Sequence, residues 1–292
     1  MARIDSDRMA KETASRHYAI HRTSIAFGVF HGDQSFETAI DSFMRVDIIP
    51  ALSDNYSYLL YDDGQAAVVD PADAVPVEAR LRQLGVTLTC VLITHHHFDH
   101  VAGAASLAAR HAVTIMAPAS GGLPRVDRQL TGGDRIVLGS STLQVLATPG
   151  HVEDHVCYYD PEGGNLFCGD TLFVCGCGRL MGPPAATLWE SLKQLRNLPA
   201  TTSVYCGHEY TETNIAFALD VDPGNDALRQ KRDDVKRLRG EGQPTVPSRM
   251  GEEAATNPFM RADVPGFQAA LGMEACDPVD VFAELRRRKD AW

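Results

Sequence analysis

The six residues His95-His96-His97-Phe98-Asp99-His100 follow directly on Leu88–Thr94, a continuous apolar run that reads as a central β-strand buried on both faces. In an extended backbone residues two apart point the same way, so His95 and His97 can converge while His96 turns away. Asp99 and His100 then occupy the loop past the strand end, where side chains can fold back over it. Four nitrogen and oxygen ligands packed this closely suit zinc, iron or manganese.

Three other strand ends repeat the pattern. Thr148-Pro149-Gly150-His151 follows Leu143–Ala147, Cys168-Gly169-Asp170-Thr171 follows Leu166-Phe167, and Cys206-Gly207-His208 follows Val204-Tyr205. Each sets one ligand-type side chain beside a glycine, which lets backbone approach closely. Together these residues are too many for one metal. Two ions use them all: His95, His97 and His151 on one, Asp99, His100 and His208 on the other, with Asp170 between. Neither shell is closed as in a structural zinc site, so each leaves room for a water whose pKa a metal brings to about 7. The expected chemistry is metal-assisted hydrolysis. His155 is expected to hydrogen-bond rather than ligate, His111 ends a helix, and His17, His21 and His31 are assigned no role.

From Met44 to about Cys206 the chain is mostly short strands and turns. Tyr56–Tyr61 and Ala66–Asp70 flank Asp62-Asp63-Gly64, a hairpin connection, and an amphipathic helix over Val75–Leu84 closes on Gly85. A second helix is expected over Val101–His111, and strands at Val113–Met116, Ile136–Leu138, Leu143–Ala147, His155–Tyr159, Leu166–Cys168 and Ser203–Cys206. Two half-buried sheets with helices outside account for this order. Beyond about Thr211 helical spacing takes over, in Ile215–Leu219, Asp226–Arg239, Gly266–Leu271 and Val279–Arg288. The expected division is a catalytic domain over 44–211, a small helical domain over 212–292, and an extension over 1–43 outside the catalytic fold, with Met44 as the natural start.

The 292 residues, 44% hydrophobic, suffice for about two domains. A net charge of −11 makes the chain a poor partner for nucleic acid, whose binding rests on cations neutralising phosphates. No apolar run approaches the roughly 18 residues of a membrane span, and Asp5, Asp7 and Glu12 are out of place in a mitochondrial presequence. The seven cysteines, several within apolar strands, are expected to be free thiols of a cytoplasmic protein.

Thr94–His100 taken with His151, Asp170 and His208 resembles the metallo-β-lactamase superfamily, which implies an αβ/βα sandwich with a two-metal site at the strand ends, here followed by the small C-terminal helical domain. The strings Cys168-Gly169-Asp170-Thr171-Leu172-Phe173, Gly176-Cys177-Gly178-Arg179, Cys206-Gly207-His208-Glu209-Tyr210-Thr211, Pro244-Thr245-Val246-Pro247-Ser248 and Asn257-Pro258-Phe259-Met260-Arg261 resemble its glyoxalase II, or hydroxyacylglutathione hydrolase, family, from about Met44 to the C-terminus.

That resemblance implies hydrolysis of S-D-lactoylglutathione and related 2-hydroxyacylglutathione thioesters to glutathione and D-lactate, the second step of methylglyoxal detoxification. A monomer would use two divalent ions, zinc first, with iron or manganese as alternatives. The resemblance makes Asp99 the catalytic residue that helps position a metal-bound hydroxide, and sets glutathione against Arg179, Tyr210, Arg286 and Lys289. Arg286 and Lys289 are i, i+3 on one helix face and can meet a carboxylate together; cations in a last helical turn also stabilise a helix with no ligand present. After Gly178-Arg179-Leu180 the family has an aromatic residue and Glu-Gly-Thr, where this chain has Met181-Gly182-Pro183-Pro184, so Met181 supplies apolar contact but no hydroxyl. The alternative is a glutathione-linked sulfur dioxygenase of the same superfamily. A β-lactamase or a metal-dependent nuclease would share the ligands, but the acidic balance disfavours RNA.

Overall fold

The structure is a computed structural model that describes residues 43–119, 123 and 125–292. The expected extension, with His17, His21 and His31, lies outside the described residues except for Phe43. Strands β1 (Arg45–Ala51), β2 (Asn55–Asp62), β3 (Gln65–Val69), β4 (Thr87–Leu92), β5 (Thr114–Ala117) and β6 (Arg128–Gln129) form one sheet in chain order. Asp63 and Gly64 turn the β2–β3 hairpin with φ of 47° and 75°, the left-handed pair that a two-residue connection requires. β2 is buried along its whole length because both its faces are covered. Tyr58 and Leu60 pack toward the second sheet, while Leu59 and Tyr61 pack with residues of α1 (Ala74–Leu84) and α3 (Ala104–His111).

The second sheet runs β14 (Ser248–Arg249), β13 (Ser203–Cys206), β10 (Asn165–Gly169), β9 (Val156–Asp160), β8 (Ser141–Ala147), β7 (Arg135–Leu138). A small hairpin, β11 (Leu172–Phe173) with β12 (Gly176–Cys177), follows β10. The apolar core lies between the sheets and continues into the C-terminal helices α5 (Thr211–Val221), α6 (Asp226–Gly240), α7 (Met250–Thr256), α8 (Pro265–Ala270) and α9 (Pro278–Ala291), where Phe217, Phe267, Phe282 and Leu285 are almost fully buried. β4 lies parallel between β3 and β5, the central, doubly covered position its apolar run predicts.

Two local readings are corrected. The helix expected over Val101–His111 is broken into α2 (Phe98–Val101) and α3, because Gly103 tucks under the β3–α1 connection: its N–H donates to Pro71 O at 2.8 Å, and a Cβ there would lie 2.7 Å from Ala74 N. The stretch between β12 and β13 is not strand and turn alone, for α4 (Ala185–Arg196) occupies it and buries Leu188, Trp189, Leu192 and Leu195 at helical spacing. All seven cysteines are free, Cys276 alone of them exposed. Among the described residues no helix is long and apolar enough to cross a membrane.

Candidate functional site

The chain leaves β4 at Leu92, bends at Thr94 and His95, and is extended again at His97 just before α2, so His95 and His97 converge through a bend rather than through the straight extended run the sequence suggests. His95 Nε2 lies 3.0 Å from His97 Nδ1, and the latter 3.1 Å from His151 Nε2, delivered by the β8–β9 loop. His100, on α2, lies 3.2 Å by Nε2 from Nε2 of His208, which follows β13. Asp170, past the end of β10, stands between these groups: Oδ1 is 3.4 Å from His100 Nε2, and Oδ2 is 3.5 Å from His208 Nε2 and 3.7 Å from His151 Nε2. Asp99 Oδ2 lies 3.3 Å from His208 Nε2. The structure thus brings all seven expected ligands together, in a group of His95, His97, His151 and Asp170 and a group of Asp99, His100 and His208.

Behind them runs a shell of partners that the sequence reading passed over. Asp70 Oδ2 lies 3.0 Å from His100 Nδ1 and accepts from Thr94 Oγ1, which lies 3.0 Å from His95 Nδ1. Asp54 Oδ1 is 2.8 Å from His208 Nδ1, and Arg179 O is 2.9 Å from His151 Nδ1. Since these carboxylate and carbonyl oxygens can only accept, they hold the ring proton on Nδ1 and leave Nε2 as a lone pair directed inward. His155 does not ligate; its buried Nε2 accepts from the backbone N–H of Asp170 at 3.2 Å, the structural role expected of it. Asp54 and Asp70 carry no motif signal, being single acids beside strands whose partners arrive from distant segments.

This arrangement fits a cation. Lone pairs about 3 Å apart repel one another unless a positive charge lies between them, and Asp170 Oδ1 is buried with no hydrogen-bond donor. Two nitrogens each about 2.1 Å from one tetrahedral ion are about 3.4 Å apart, close to the separations found. The electrostatics agree. Burial keeps His95, His97 and His151 neutral, with pKa values below the usual imidazole range. Burial opposes the charge on His100 too, but Asp170, Asp70 and Asp99 outweigh it and raise that pKa to about 9, so without a metal a proton on Nε2 takes the place a cation would hold. Burial likewise opposes ionisation of Asp170, yet His100, His208 and His151 hold it well below the carboxylate range. Asp99, against its own partial burial, is lowered by the Asn55 hydrogen bond and by His100.

The cluster opens on a cavity of about 500 Å³. His151 and Asp170 of the cluster line it, and so do Arg179, Tyr210, Arg286 and Lys289, with Phe173 and Cys177 of the small hairpin among the other lining residues. Tyr210 stacks on the His208 ring, centroids 4.6 Å apart and planes 6° from parallel. Arg286 is almost buried, its guanidinium donating to Cys177 O at 3.1 Å and to Asp290 Oδ1 at 2.8 Å. All four residues expected to contact substrate therefore surround one space. Met181 is exposed and is not among the residues lining it.

Known proteins resemble this chain in sequence and in fold. Residues 52–208 match the model of the metallo-beta-lactamase superfamily, and residues 209–292 the model described as hydroxyacylglutathione hydrolase C-terminus. A hydroxyacylglutathione hydrolase of Rhodospirillum rubrum is 48% identical over 253 residues, covering 85% of this chain and 99% of the relative. Among solved structures, ETHE1 from Myxococcus xanthus superposes with a TM-score of 0.60 at 27% identity, over 84% of this chain and 90% of that one. TTHA1623 in a di-iron-bound form superposes with a TM-score of 0.54 at 26% identity, over 74% of this chain and 99% of that one.

Proposed function

The chain belongs to the hydroxyacylglutathione hydrolase family of the metallo-β-lactamase superfamily, and on that footing we propose that it hydrolyses S-D-lactoylglutathione and related 2-hydroxyacylglutathione thioesters to glutathione and the free hydroxy acid. The observation that carries the reading is the single cavity lined both by His151 and Asp170 of the His/Asp cluster and by the cations Arg179, Arg286 and Lys289. A glutathione thioester has the matching form: a reacting carbonyl at one end of a peptide whose carboxylates need cations. The C-terminal family match over 209–292 favours this over the sulfur dioxygenase alternative.

The cluster is a divalent-metal site. Two ions suit it, one with His95, His97 and His151, one with Asp99, His100 and His208, Asp170 facing both; an all-nitrogen and oxygen donor set takes zinc first, with iron or manganese as alternatives. When bound there the ions would polarise the thioester carbonyl and bring a water's pKa to about 7. The residues do the rest. Asp99, held ionised and fixed by Asn55, is an acceptor for a water proton at the mouth of the site. Arg286, clamped between Cys177 O and Asp290, and Lys289 meet a carboxylate of the peptide, while the exposed Arg179 closes over it. The departing thiol, with a pKa of about 8.5, can leave as thiolate without a general acid. The helical segment 212–292 acts as the substrate-binding domain, in a monomer, and the free thiols suit a cytoplasmic setting. Assay of S-D-lactoylglutathione hydrolysis together with metal content tests the reading: thioester loss with metal bound is expected, and oxygen consumption without thiol release would overturn it.

A further inference from the structure

Of the three cations lining the cavity, two share a carboxylate: Arg286 Nη2 lies 2.8 Å from Asp290 Oδ1 and Arg179 Nε 4.0 Å from the same oxygen. Among the described residues Lys289 forms no ion pair. Its ammonium donates to Thr213 O at 3.3 Å and lies over two aromatic rings, 5.1 Å from the centroid of Phe217 and 4.4 Å from that of Trp292. These rings meet edge to face with centroids 6.0 Å apart, so they form one corner into which Nζ fits. A lysine has four rotatable bonds, and one held by no carboxylate and exposed to water would sample many rotamers. The π faces attract the cation without neutralising it. An ion pair would instead consume the charge that an anionic ligand needs.

Phe217 is 1% exposed and belongs to the core, whereas Trp292 is 56% exposed. Their contributions are therefore separable. Removing the Phe217 ring opens a cavity in the core; removing the Trp292 ring, at the surface, takes away the face over Lys289 and one edge contact on Phe217.

We propose that Trp292 is a positioning residue for substrate: its ring holds the Lys289 ammonium toward the cavity, ready for a carboxylate of the glutathione moiety. The inference rests on the reading of the substrate as a glutathione thioester. It makes Trp292 matter only to substrates that carry such a carboxylate. A thioester with the same acyl group on a neutral thiol would use the metal cluster and ignore the corner.

The test compares the metal-loaded full chain, Trp292→Ala and Trp292→Phe on S-D-lactoylglutathione and on S-lactoyl-N-acetylcysteamine, which lacks both glutathione carboxylates. Trp292→Ala is expected to raise KM for the glutathione thioester by roughly two- to fivefold, the worth of one exposed cation–π contact, with kcat unchanged. Trp292→Phe should recover most of that loss, and kcat/KM for the neutral thioester should stay at the parent level in both variants. An unchanged KM in Trp292→Ala, or an equal loss on both thioesters, would overturn the proposal. Failure of the parent chain itself to turn over lactoylglutathione would overturn instead the substrate reading beneath it.

Discussion

Asp54 Oδ1 lies 2.8 Å from His208 Nδ1, and the next residue, Asn55, reaches Asp99 Oδ2 at 2.9 Å. One short connection between β1 and β2 thus orients a histidine from past β13 and a carboxylate from α2. The backbone fixes this register, with Glu209 N–H donating to Asp54 O at 2.8 Å and Tyr56 N–H to Gly207 O at 2.9 Å. Loss of the carboxylate behind a ligating histidine typically weakens metal affinity about 10- to 100-fold. Asp54→Asn is expected to lose metal to a competing chelator at correspondingly lower chelator concentration, and to regain turnover in excess zinc. Equal retention in the variant and the parent would refute the role.

Asp170→Asn keeps the volume of the buried carboxylate but removes its charge and turns an amide N–H₂ toward imidazole nitrogens. Since Asp170 faces both ligand groups, bound metal should fall below two ions per chain, and turnover by about 100-fold or more. Elemental analysis of the purified variant beside a thioester assay reads both effects. Two retained ions with parental turnover would exclude the bridging position.

The candidate ligands were legible in the sequence because each stands next to a chemical signal that is local. His95 and His97 follow an apolar run, and His151, Asp170 and His208 each sit at a glycine past a strand. Asp54, Asn55 and Asp70 have no such signal, since their meaning comes from contacts 154, 44 and 30 residues away. The two-sheet order was legible from strand alternation and turn residues, while β14 pairs across a connection that no local pattern encodes. α4 is a different case. Its apolar positions 188, 189, 192 and 195 follow a helical period, but Pro183-Pro184 just before them and strands on either side read as loop.

Lys289 gives the binding step a pH dependence. Burial, and the facing guanidinium groups of Arg286 and Arg179, lower its pKa to about 8, against a small opposing effect of Cys177. Below that value the ammonium is charged and available to a carboxylate. Above it the lysine is neutral, and the attraction is lost. The apparent affinity for a glutathione thioester, read as 1/KM, should therefore be level below about pH 7 and decline as pH rises through about 8. Lys289→Arg, which stays charged, should flatten that decline, whereas Lys289→Gln should show the weaker affinity at every pH. A decline that survives unchanged in Lys289→Arg would assign it to another group.

Gly207 tests whether the close approach of backbone at the strand ends serves the site or the fold. A Cβ there would lie 2.4 Å from Asp170 Oδ1 and 2.7 Å from His100 Cε1, so an alanine must displace two of the proposed ligands. Its φ is not in the left-handed region, so the backbone itself can accept the change. The displaced groups belong to the metal cluster rather than the apolar core. Gly207→Ala is expected to cut turnover by about tenfold or more and to weaken metal retention, while the thermal transition of the metal-free chain moves little. Gly240→Ala makes the comparison, for nothing lies within 4 Å of a Cβ at that position and turnover should not change. A Gly207→Ala chain that melts far below the parent with metal removed from both would place the role of this glycine in the fold instead.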